Sequence, residues 1–111
     1  MKLPNGERAV VDMRKLREYV LSPHHLYGQH KARVFQSALG LTTADAGELY
    51  DALLVAAKVE EAVSTHADQF GQRYVIDFVL TRRNGRSARI RSSWIIRHDE
   101  GFPRFVTCYV L

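Results

Sequence analysis

The sequence predicts an α+β domain, with about three N-terminal helices packed on one face of a four-stranded antiparallel sheet. Two observations carry this. The first half places apolar residues at helical spacing between cap and stop residues, and the second half alternates them at a period of two, with short turns between. With 111 residues, the chain suits one domain over 1–111, because two would each be too small to bury a core.

Asp12 is a good N-cap, and Ser22-Pro23 ends helical geometry, so 13–21 reads as a helix with Met13, Leu16 and Val20 inward. A polar loop over 22–29 holds His24, His25 and Gly28. His30–Leu39 is the second helix, closed by Gly40. The third runs from about Thr43 to Ala57. Thr42 caps it, Asp45 lies in its first turn, and Leu49, Leu53 and Ala56 form its stripe.

Val59–Thr65 reads as the first strand. In Gln72–Thr81, Tyr74, Ile76, Phe78 and Leu80 share one face. Asn84-Gly85 is a hairpin signal, and Ser87–Arg97 is the partner strand with Ala88, Ile90, Trp94 and Ile96 inward. After a loop holding Asp99, Gly101 and Pro103, Arg104–Leu111 is the last strand. Alternation puts Val106, Cys108 and Val110 inside and Phe105, Thr107 and Tyr109 outside.

Apolar residues make up 46% of the chain and charged ones 25%, which excludes a disordered chain. No apolar run is long enough to span a bilayer, and the first residues carry no secretory leader, so a cytoplasmic protein is expected. Cys108 is the single cysteine, which excludes an intrachain disulfide and a cysteine zinc site. The histidines lack metal-ligand spacing, and no metal or other cofactor is expected.

Net charge is +4 and is uneven. Residues 42–69 hold six acids and one lysine, whereas 70–111 hold eight arginines and three acids. Guanidinium forks suit phosphate, so RNA is the expected partner. The alternative is that these arginines pair with the acidic middle.

The uncovered sheet face would show Asp77, Arg89, Arg91, Ser93, Arg97, Thr107 and Tyr109 among Val75, Val79, Ile95 and Phe105. Such a face is either solvated or a nucleic-acid platform. His30 and Lys31 open the second helix, where the macrodipole disfavours cations, and Lys31 falls within the apolar arc of Val34, Phe35, Ala38 and Leu39. Lysine there needs a partner, a bound anion, or a route past its stem to solvent.

RNA cleavage by 2′-hydroxyl attack needs a base, cations for the phosphate and a proton source. The candidate catalytic residues are His30, Lys31, Arg91, Ser93 and Thr107, with Arg33, Arg89 and Tyr109 binding substrate. An imidazole titrates near the working pH. The alternative is a non-catalytic module that binds nucleic acid or a protein, of antitoxin or adaptor type. A dimer through the edge of 104–111 is a further reading.

Two stretches, Gly28–Leu41, which opens Gly28-Gln29-His30-Lys31-Ala32-Arg33-Val34-Phe35, and Phe102–Leu111, resemble a small bacterial family of unknown function whose members have about this length. The His30-Lys31 pair and Val106-Thr107-Cys108-Tyr109 are also similar to the barnase–EndoU–colicin–RelE-like ribonuclease toxins. Those combine N-terminal helices with a four-stranded antiparallel sheet and draw catalytic His, Lys, Arg and hydroxyl groups from both. That likeness implies a toxin–antitoxin or effector role and a protein antitoxin as partner. The chain departs from it by lacking a glutamate in the C-terminal sheet, where Asp77 is the available carboxylate.

Overall fold

The computed structural model describes residues 1–111 and shows the expected α+β order. Helix α1 (Met13–Lys15) runs directly into a π-helical turn, Leu16–Val20. Asp12 caps it, accepting from the Arg14 amide at 2.9 Å. Helix α2 spans Gln29–Leu39 and stops at Gly40, whose φ of 68° is the left-handed conformation that glycine adopts without strain. A short 3₁₀ turn, Thr43–Asp45, carries a Thr42/Asp45 capping box and leads into helix α3 (Ala46–Val59).

Strands β1 (Val63–Ala67), β2 (Gly71–Thr81), β3 (Ser87–Arg97) and β4 (Pro103–Val110) form an antiparallel meander in sequence order. β1 starts four residues later than the sequence predicts. The α3 ladder persists to the Glu60 amide, which donates to Ala56 at 3.0 Å and keeps Val59 helical. The helices cover one sheet face. Trp94, Phe35, Leu16, Leu39, Leu49, Leu53, Ile76, Ile90 and Cys108 form the centre of the core.

The last strand breaks alternation. Ser93 pairs with Thr107 but Trp94 pairs with Phe105, so Val106 is an extra residue, a β-bulge. Phe105 thereby turns inward, 2% exposed, with its ring edge-on to Trp94 at 5.6 Å. The expectation of Val106 inside and Phe105 outside is therefore corrected. Uninterrupted alternation cannot register an inserted residue.

Ser92 also faces the core. Its hydroxyl donates to the Ile76 carbonyl at 2.8 Å and accepts from the Trp94 indole at 3.0 Å, so both buried polar groups are satisfied. The N-terminal arm runs along the free edge of β4. The Val10 amide donates to Pro103, and the Phe105 amide donates to Val10, each at 2.9 Å. An edge dimer through β4 would thus have only its later residues to pair with.

Candidate functional site

The sequence places a lysine on the buried arc of α2, and the fold gives it partners. Lys31 extends to the outer edge of β4, where its ammonium donates to the Thr107 hydroxyl at 3.3 Å. It lies 5.6 Å from the ring centres of both Tyr19 and Tyr109, within cation–π range.

The start of α2 is fixed from below. A Cβ on Gly28 would stand 2.2 Å from the Tyr19 carbonyl oxygen, so only glycine lets the loop pass so close to the end of the first helical segment. His25 folds that loop. Its Nδ1 accepts the Tyr27 and Gly28 amides at 3.0 and 3.1 Å, and its ring meets Tyr19 edge-on at 4.5 Å. His25 therefore supports Tyr19, which in turn flanks Lys31. Tyr19 and His25 are site neighbours that sequence reasoning missed.

His30, Lys31, Val34, Tyr109 and Val110 line an open groove of about 320 Å³ between α2 and β4. His30 is exposed at its lip. On the open sheet face, Asp77, Arg91 and Tyr109 stand side by side across β2, β3 and β4. Arg91 forms a bidentate pair with Asp77, both contacts 2.8 Å. Arg89 approaches Asp77 to 3.8 Å. Arg91 holds the Asp77 carboxyl below the usual carboxylate range, with burial opposing and Arg89 adding to the depression. Asp77, and after it the Tyr109 side chain, raise Arg91 further above its already high value.

The expected residues thus divide. Lys31, Thr107 and Tyr109 are in contact, His30 shares their groove, and Arg91 follows through Tyr109. Ser93 is tied to the same place from behind, its hydroxyl donating to the Thr107 carbonyl at 3.4 Å. Arg89 sits further along the face at the Asp77 clamp. Arg33 is not brought in. It lines a different hollow, with Leu21, Pro23 and Thr43.

Several other arginines serve the fold. Arg82 pairs with Glu48 and Asp45 and donates to the Leu39 carbonyl at 3.0 Å, while Arg86 donates to Ser37 at 2.6 Å, so the hairpin caps the end of α2. Arg73 pairs with Asp68 at 2.8 Å. The acidic middle does neutralise part of the arginine-rich half, as the alternative reading of the charge pattern holds.

Burial drives the Cys108 thiol far above its usual range, which leaves it without thiolate character. No group of three or more His, Cys, Asp or Glu side chains is gathered where it could hold a metal. No helix is long and apolar enough to cross a membrane.

Residues 2–111 match the model of a family described as a domain of unknown function, DUF6883. No curated protein matches the chain. Among solved structures, it is similar to a chain of a contact-dependent growth inhibition toxin–immunity protein complex from Klebsiella pneumoniae 342, with a TM-score of 0.72 and 20% identity over 92% of this chain and 99% of that one. At that identity the likeness is one of fold.

Proposed function

The chain belongs to the DUF6883 domain family, a domain of unknown function, and we propose from the geometry of its groove that it is a toxin-type endoribonuclease that cleaves RNA by 2′-hydroxyl attack without a metal. The observation that carries this reading is the meeting of the Lys31 ammonium, from a helix, with Thr107 and Tyr109 of the last strand. One open groove of about 320 Å³ then carries the His30 imidazole, the Lys31 ammonium and the Tyr109 hydroxyl, with the Thr107 hydroxyl bonded to Lys31 beside it.

His30 takes the 2′-hydroxyl proton as the P–O2′ bond forms. Lys31 and Arg91 carry the charge of the phosphorane, and Ser93 and Thr107 hold the local backbone and the Lys31 amine in place. The P–O5′ bond breaks, and the leaving 5′-oxygen takes a proton from the Tyr109 hydroxyl. The products are a 2′,3′-cyclic phosphate and a 5′-hydroxyl end. Asp77 orients Arg91 through their paired contacts, and Arg89 attracts the RNA backbone. A toxin of this kind requires a protein antitoxin or immunity partner. The fold likeness to a chain of a toxin–immunity complex supports that requirement.

The test is incubation of purified protein with total RNA in EDTA, comparing wild type with His30→Ala. Cleavage by wild type, reduced about 10²–10⁴-fold in the variant, is the expected result. Intact RNA in both samples overturns the reading.

One observation favours a second reading, a non-catalytic protein-binding module of immunity or adaptor type. The Arg91 guanidinium already spends two hydrogen bonds on Asp77, as a structural ion pair would. Uncleaved RNA together with a stable complex with a cognate toxin would select it.

A further inference from the structure

A second group of cations lies outside the groove just described. Lys15, Arg97 and Arg104 converge on a hollow of about 160 Å³, together with Val10, Asp12, Ile95 and Phe105, where β3 ends and β4 begins. The Lys15 ammonium donates to the Phe105 carbonyl at 3.0 Å. Lys31 reaches Thr107, two residues further along the same outer edge. The two ammonium groups therefore flank the bulge at Val106, with strand positions roughly 7 Å apart.

Two of the carboxylates nearby, Asp12 and Glu100, are already engaged. Asp12 accepts Arg14 through its amide and its guanidinium, at 2.9 and 3.2 Å. Glu100 is held by Arg104 at 2.7 and 2.8 Å and lies 4.0 Å from Arg97. Asp99 adds a further negative charge near Arg104. Lys15 is left with a backbone carbonyl as its acceptor, and more than half of the Arg97 side chain is exposed. A cation satisfied only by a carbonyl, beside an incompletely paired guanidinium, is a place for a small oxyanion.

Resting on the ribonuclease reading, we infer that Lys15 and Arg97, with Arg104 behind them, bind the RNA phosphate adjacent to the one cleaved at Lys31. The strand would pass outside the Val10 arm that covers the start of β4, one phosphate on either side of the bulge, with the Tyr19 ring next to Lys31. Such a site recognises the backbone of single-stranded RNA rather than its bases, and it makes a chain longer than a dinucleotide the preferred substrate.

The experiment measures binding of a fluorescent single-stranded 2′-O-methyl oligonucleotide, which lacks the attacking hydroxyl, at several salt concentrations. It compares wild type with Lys15→Gln and Arg97→Gln, using Lys58→Gln on α3 as control. RNA cleavage and thermal midpoint are recorded alongside. The expected result is weaker binding in both variants, with the slope of log affinity against log salt shallower by about 0.7 for each lost phosphate contact, and the control unchanged. Cleavage of a dinucleotide should be insensitive to either change.

Folded variants with the wild-type slope overturn the inference, and if wild type still cleaves RNA the ribonuclease reading survives. Wild type that fails to bind the oligonucleotide also overturns it, and the cleavage measurement then decides whether that reading falls too.

Discussion

Lys31 of α2 and Thr107 of β4, 76 positions apart in the chain, are joined by a 3.3 Å hydrogen bond. This contact docks the start of a helix onto the edge of the sheet. It brings a cation to the Tyr109 ring without a carboxylate to neutralise it. The first prediction follows from that geometry.

Lys31→Met keeps the aliphatic stem and removes the charge. RNA cleavage should fall about 10²–10³-fold, in line with the loss of one charge-stabilising donor. Losing the hydrogen bond and the two ring contacts should cost only about 1–2 kcal/mol of stability. Lys31→Arg should restore part of the activity. Cleavage assays alongside urea unfolding separate these effects, and a fully active Lys31→Met would remove Lys31 from the reaction.

Asp77→Asn should destabilise the protein near neutrality by about 1–2 kcal/mol, because Arg91 loses a charge-assisted pair. The pH dependence has a definite sign. Folding lowers the Asp77 pKa below its ordinary 3.8, so the unfolded chain binds the proton more readily. The stabilisation is complete above about 3.8 and is lost as pH falls through the lower folded value. Urea titrations from pH 6 downward should show the wild-type and variant curves converging in acid. A constant gap would show that the pair does not titrate in this way.

Phe105→Ala should cost about 3–5 kcal/mol, the usual penalty for truncating a fully buried aromatic residue. Val106→Ala, at the half-buried bulge position, should cost far less. Denaturant midpoints for the two variants report which residue faces the core. The opposite ranking would mean that β4 runs without its bulge.

Much of the architecture is legible in the sequence because local signals agree with one another. Gly40 stops α2, Thr42 and Asp45 form the box that starts the next helical turn, and Asn84-Gly85 closes the β2–β3 hairpin, with Gly85 at φ 86°. The polarity of the open face around Asp77, Arg89, Arg91 and Ser93 is equally readable from alternation. What stays hidden depends on contacts between distant segments. The Val10 arm on β4, the support of Tyr19 by His25, and the engagement of Arg82 and Arg86 at the end of α2 all join residues whose pairing no short window contains. Lys31 lies between the two cases. Its misfit on an apolar arc is visible in the sequence, but its destination at Thr107 is not.

The supernumerary residue at Val106 ties two halves of β4 to different duties: Phe105 on one side fills the interior, while on the other Thr107 holds Lys31 and Tyr109 lines the groove. Deleting one amino acid there would rotate one half relative to the other, so the chain would keep its interior or its groove and forfeit the other. Length in this strand should therefore be far less forgiving than identity. Homologous chains should accept varied side chains at this position more readily than gaps or insertions.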